Sequence, residues 1–131
     1  MSFDSKEVLS LKARLNAPIM NDGSDWAEHH RRLLRKEIRR QRLEEARARG
    51  THTAIEWAEI LDRFNGRCVR CGCYPEPRPC KDHITPIYMG GSDAADNLQP
   101  LCRQCNTAKG SDAFNWAAYR ESHGFTEEGK E

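Results

Sequence analysis

Cys68-Val-Arg-Cys71 and Cys102-Arg-Gln-Cys105 form two C-x2-C pairs separated by residues 72–101, and no other feature of the 131-residue chain restricts its fold so tightly. Each pair can form a knuckle that presents two thiolates to one ion at about 2.3 Å, and two knuckles complete a tetrahedral structural zinc site. Two disulfides or a redox-active pair compete for the same residues. No secretory context supports the first, and no strand-then-helix pattern around Cys68 supports the second. The gap between the pairs is longer than in a compact zinc ribbon, so the intervening segment is expected to fold as something of its own. Cys73 and Cys80 are surplus. Cys71-Gly-Cys73 leaves an alternative ligand open, but Cys71 is preferred because its spacing matches the second pair.

Length allows one small domain with an arm. Hydrophobic residues make up 37% and charged residues 31% of the chain, enough apolar material for a modest core. No stretch approaches the roughly 20 apolar residues of a spanning helix. The start, Met1 to Glu7, lacks the basic lead and apolar run of a secretory signal, so a cytoplasmic protein without membrane association is expected. The overall charge of +1 conceals an asymmetry: residues 1–50 carry +4 and residues 51–131 carry −3. Such a split points to a basic nucleic-acid-binding arm on a more acidic body.

Four segments precede or follow the cysteine region. Residues 1–24, with Pro18 and the turn-like Asn21 to Ser24, read as a flexible lead segment with a short helix over 5–15. A basic helix over 25–49 follows, capped by Ser24 or Asp25 and ended by Gly50. Its apolar residues Trp26, Leu33, Leu34, Ile38 and Leu43 make no heptad seam, so a DNA-contacting arm and a solvated helix docked by a few leucines stand side by side. Thr53-Ala-Ile-Glu56 fits a capping box that starts another helix. There Ala54, Trp57, Ala58, Ile60, Leu61 and Phe64 form a core stripe, and Asn65-Gly66 stops the helix. The run from Pro75 to Pro79 reads as a loop. Ser111-Asp112 is expected to cap a last helix that runs to about Ser122, with Phe114, Trp116, Ala117 and Ala118 packing and Gly124 ending it.

Between the knuckles, adjacent Asp82 and His83 are followed by Gly90-Gly91, Asn97 and then Asn106 beside Lys109. Phosphodiester hydrolysis needs a base for water, a divalent cation to neutralise the leaving oxygen, and ligands that hold that cation beside the base. Each requirement has a candidate here. Neighbours on a strand point to opposite faces, so spacing alone does not bring Asp82 and His83 to one site. Gly90 and Gly91 suggest positive φ or a close backbone approach. His29, His30, His52 and His123 lie outside the pattern and read as surface or capping residues.

The ordered pattern C-x2-C, Asp-His-Ile-x-Pro, Gly-Gly, Asn-Leu-Gln-x-Leu-Cys-x2-Cys-Asn-x2-Lys-Gly resembles the HNH endonucleases over about residues 57–110. The resemblance implies an α+β fold: a small ββα-metal core with a structural zinc site and flanking helices, preceded by the basic helical arm. It divides the chain into residues 1–50 (lead segment and arm), 51–124 (nuclease domain) and 125–131 (tail). It also implies that His83 is the general base, Asp82 and Asn106 hold the catalytic ion, and Asn97 braces the loop that orients the histidine. Asn106 stands where the family name has a histidine, making this an H-N-N variant. An Asp and Asn oxygen pair suits Mg²⁺ or Mn²⁺.

The implied activity is metal-dependent hydrolysis of double-stranded DNA, by nicking or double-strand cleavage, leaving a 5′-phosphate and a 3′-hydroxyl. Lys109, Arg103, Arg35 and Arg39 are the candidate DNA contacts. Phage members of the family suggest a phage or bacterial source and a packaging protein as a possible partner. A catalytically inactive zinc-stabilised DNA-binding or adaptor module is the rival reading, and the presence of Asp82, His83 and Asn106 together favours the enzyme.

Overall fold

The computed structural model describes residues 3–18, 25–110 and 112–125. Among these residues five α-helices and one two-stranded sheet follow the order α1 (Lys6–Asn16), α2 (Trp26–Arg49), α3 (Ala54–Arg63), β1 (Cys80–His83), β2 (Leu98–Leu101), α4 (Arg103–Lys109) and α5 (Trp116–His123). Single 3-10 turns at Ile87–Met89 and Ala95–Asn97 shape the loop between the strands. This is the expected hairpin followed by a helix. The strands pair antiparallel with His83 opposite Leu98, Asp82 opposite Gln99, Lys81 opposite Pro100 and Cys80 opposite Leu101. Pro100 has no N–H to donate and is tolerated because a two-stranded sheet consists of edges; its carbonyl accepts from Val69 N at 3.0 Å, tying the first knuckle to the sheet.

One core joins both knuckles to the helices. Ile60 and Phe64 of α3, Cys68, Val69, Leu98, Leu101, Cys102, Cys105 and Ala117 are buried together, with Trp57, Trp116 and Phe125 packed against them. The capping box of α3 forms as read: Glu56 N donates to Thr53 Oγ1 and Thr53 N to Glu56 Oε1. Its buried stripe is narrower than the pattern suggested, because Ala54 and Ala58 are exposed and only Trp57, Ile60, Leu61 and Phe64 turn inward. Helix α5 also differs. It begins at Trp116 under an Asn115 cap, whose Oδ1 accepts from Ala118 N at 2.8 Å, and not at Ser111-Asp112. Ser111 lies outside the described residues. Phe114 precedes the helix and is exposed, as is Ala118, and the core contacts fall on Ala117 and Trp116. Of the expected tail, Phe125 is packed, with the Arg67 and Arg120 guanidinium groups 4.4 and 4.8 Å from its ring centre; residues 126–131 lie outside the described residues.

The N-terminal half is more firmly held than its composition implies. Helix α1 forms where expected and packs along α2, with Val8 and Ala46 fully buried. Asp4 anchors it: its two carboxylate oxygens accept from Arg42 Nε and Nη2, each at 3.0 Å, and from Lys12 Nζ at 2.9 Å. Of residues 1–24, those from 3 to 16 are therefore docked and not loosely led, because a partly buried ion pair ties them across to α2. Helix α2 ends at Gly50 as read, but Asp25 makes no side-chain cap and Ser24 lies outside the described residues. Its last turns rest on the interstrand loop, where Arg49 Nη2 donates to Gly91 O at 2.8 Å. Among the described residues no helix is long and apolar enough to cross a membrane.

Candidate active site and metal centre

The four cysteines of the two pairs converge. Sγ atoms of Cys68, Cys71, Cys102 and Cys105 all lie within 4.8 Å of one another. Tetrahedral zinc with 2.3 Å bonds needs sulfurs about 3.8 Å apart, and Cys71 and Cys102 stand at 4.0 Å. Cys102 caps α4, its Sγ accepting from Cys105 N at 3.3 Å. Arg120 of α5 clamps the first knuckle by donating to Val69 O and Arg70 O, each at 2.7 Å. Burial pushes the Cys68 and Cys105 thiols up. It also pushes Cys71 up, but hydrogen bonds from Cys73 and from the surrounding thiols outweigh it and bring Cys71 down to about 7. Four thiolates cannot share so small a space without a cation, so the donor set fits zinc. Cys73 is exposed and borders the cluster beside Cys71 and Cys102, without joining the four that enclose a common point.

A separate cavity of about 470 Å³ is lined by Asp82, His83, Asn106 and Lys109 together with Arg39, Arg42 and Leu43 of α2. Alternation along β1 sends Asp82 and His83 to different partners, yet both reach this cavity because the strand ends at His83. Asp82 Oδ2 accepts from Gln99 Nε2 at 2.8 Å and lies 3.2 Å from Lys109 Nζ. Its other oxygen has no protein donor among the described residues. A carboxylate oxygen and the Asn106 amide on one cavity wall are hard donors of the kind Mg²⁺ and Mn²⁺ prefer, so these residues fit a catalytic cation.

Asn97 ties together the two ends of the Thr85–Ser92 segment. Its Oδ1 accepts from Thr85 N at 2.8 Å, and its Nδ2 donates to Thr85 O at 3.0 Å and Ser92 O at 2.7 Å. The glycines of this loop have separate reasons. Gly90 sits at φ 90°, and a Cβ on Gly91 would stand 1.9 Å from Thr85 O. The same brace that holds Thr85 thus forbids any side chain at position 91.

Several residues that matter here were not legible in the sequence. Asp93, which follows Gly-Gly-Ser, has its Oδ1 2.9 Å from His83 Nε2. Burial alone would raise its carboxyl, but the bond to His83, the Thr51 hydroxyl and the nearby His52 outweigh this and hold it below the usual carboxylate range. Gln99 is fully buried and satisfied, donating to Asp82 and to Phe114 O while accepting from Ala117 N. His52 is not a surface residue: its Nδ1 lies 2.8 Å from Asp93 O and its Nε2 2.9 Å from Lys81 Nζ. Lys109, a candidate DNA contact in the sequence, is buried, with its side chain only 2% exposed and its ammonium also donating to His83 O at 3.2 Å. Arg39 lines the cavity, whereas Arg103 lines a different cleft with Trp57 and Cys80. Arg35 pairs with Glu28 at 3.3 Å along the exposed face of α2.

The family model for HNH endonucleases matches residues 68–112, which hold both knuckles, the strands and α4. A protein of Lactococcus phage SK1 named as an HNH endonuclease is 30% identical over 80 residues, covering 53% of this chain and 85% of that protein. The chain belongs to the HNH endonuclease family. A protein derived from the SPbeta prophage of Bacillus subtilis (strain 168), also assigned by its name to the HNH endonucleases, is 29% identical over 101 residues. That match covers 68% of this chain but 41% of the relative, so the chain spans less than half of that protein's length. No solved structure matches at a comparable level of significance. The HNH match ends just past α4 and leaves out α1, α2 and α3 entirely, although α2 supplies one wall of the cavity.

Proposed function

We propose that this chain is a metal-dependent endonuclease that hydrolyses phosphodiester bonds of double-stranded DNA, with residues 51–124 as the catalytic unit and α2 as a basic wall of its site. The observation that carries the reading is the meeting of His83, Asp82 and Asn106, from the end of β1 and from α4, on one cavity. His83 takes the proton from a water, whose oxygen attacks phosphorus as the bond to the 3′ oxygen breaks, leaving a 5′-phosphate. Asp82 and Asn106 hold the divalent cation, Mg²⁺ or Mn²⁺, which when bound neutralises charge developing on the leaving oxygen. Asn97 keeps the loop in place and the four cysteines bind zinc as a scaffold. Arg39, exposed and without an ion pair among the described residues, receives a phosphate of the substrate. Action in the cytoplasm of a bacterial or phage-infected cell fits the phage and prophage relatives.

Supercoiled plasmid cleavage, followed with and without Mg²⁺ or Mn²⁺, tests this. The His83→Ala variant is expected to lose at least ~10²-fold in rate with zinc content and DNA binding retained, and Asp82→Ala to weaken the dependence on added cation. Cleavage by His83→Ala at the parental rate would end the reading of His83 as base. A second reading, a zinc-stabilised DNA-binding module without catalysis, draws on the Lys109 ammonium seated on Asp82; it would be favoured by a parental protein that binds DNA and leaves it intact at every cation tested.

A further inference from the structure

We propose that Asp93 is the positioning residue for His83: its carboxylate holds the imidazole through Nε2 and so leaves Nδ1 as the atom that accepts the proton. The proposal rests on the reading of His83 as base. An ionised carboxylate accepts hydrogen bonds and donates none, so the 2.9 Å contact between His83 Nε2 and Asp93 Oδ1 requires the hydrogen to lie on Nε2. In a neutral ring the lone pair is then on Nδ1, and among the described residues no group bonds to that atom. The bond made by one ring nitrogen sets what the other can do.

Asp93 is itself held from several directions, as a positioning residue must be. Its side chain is only 8% exposed. Its backbone N donates to Gly50 O at 2.9 Å, and its carbonyl takes His52 Nδ1. Thr51 Oγ1 donates to Oδ2 at 2.9 Å, with Arg47 Nε 3.7 Å and His52 Nδ1 3.4 Å from the same oxygen. One oxygen is thereby committed to the segment that ends α2 and the other to His83. Lys81 adds a constraint from outside, since its ammonium can only donate to His52 Nε2, which leaves the hydrogen of His52 on Nδ1, facing Asp93. The basic helix and the base are joined through this single carboxylate. The HNH motif alone does not reveal this, because the contacts to Gly50, Thr51 and His52 come from before the matched region.

Full-length, zinc-loaded Asp93→Ala and Asp93→Asn proteins test the assignment by cleavage kinetics and by NMR of the protein carrying ¹⁵N-labelled histidine. Asp93→Ala is expected to lower kcat about 10- to 100-fold, as for other groups that orient a reacting residue, with KM for plasmid DNA within about twofold of the parent. The His83 Nε2–H proton, protected from exchange in the parent, should become unobservable. Asp93→Asn keeps an oxygen acceptor and should fall between the two in kcat; it serves alone if the alanine variant does not fold. A parental kcat in either folded variant, a loss confined to KM, or a protected Nε2–H signal surviving in Asp93→Ala would overturn the proposal. The NMR signal does not depend on cleavage, so it tests the His83–Asp93 bond even if His83→Ala were to show that His83 is not the base.

Discussion

Lys109 Nζ lies 3.2 Å from Asp82 Oδ2, and the two side chains are only 2% and 7% exposed, so a charge pair is shut inside the fold beneath the candidate active site. Such a pair adds little net stability over an apolar one, but removing one partner strands the other charge. Lys109→Met should therefore destabilise the protein by roughly 3–5 kcal/mol in urea unfolding. Adding Asp82→Asn to that variant should restore part of the loss, because the orphaned charge is gone. A Lys109→Met protein as stable as the parent would show that the pair is hydrated.

Asp4 gives the acid limb of stability a definite sign. Its hydrogen bond from Arg42, aided by Lys12, holds its carboxyl below the ordinary value of 3.8. The folded state thus binds the proton less readily than the unfolded one, so the stabilisation is present above about pH 4 and disappears as pH falls through the lowered folded value. Asp4→Asn should be less stable than the parent at pH 7, and the two should converge as pH falls below 4. Equal stabilities at pH 7 would mean that the Asp4–Arg42 pair does not anchor α1.

Zinc removal should unfold the body and not merely silence it. Both knuckles contribute core side chains, Cys68 and Val69 from one and Leu101, Cys102 and Cys105 from the other, so the ion and the hydrophobic core hold the same elements. Elemental analysis is expected to give about one zinc per chain. Cys102→Ala should lose both the metal and the α4 cap, whereas Cys73→Ala, at an exposed position beside the cluster, should keep its zinc. A Cys102→Ala protein with zinc and an unchanged unfolding midpoint would contradict the four-cysteine site.

Much of this protein is local in origin and could be read from the sequence. The capping box of α3, the glycine end of α2, the loop glycines and the paired cysteine spacings each depend on residues a few positions apart, where hydrogen bonding and φ preference act without help from the rest of the chain. The motif from Cys68 to Gly110 likewise carried the hairpin and α4. Where local rules misled, two signals competed: Asp112 looked like a helix cap, yet Asn115 makes the bond.

Tertiary structure decided what lies between distant segments. Asp93 is indistinguishable from any loop aspartate until α2 and the residues after Gly50 fold against it. Lys109 reads as a candidate DNA contact until α4 turns it onto Asp82. The basic helix reads equally as a DNA-contacting arm or a docked helix until Arg49 reaches Gly91 and Arg39 lines the cavity. Composition and periodicity report which face of an element is apolar, and the cysteine spacing reports which atoms share an ion. Neither reports which charge ends beside which, because that choice is made by side chains some 40 residues apart, such as Thr51 and Asp93. Such pairs become neighbours only when desolvation in the folded state makes each the other's best available partner.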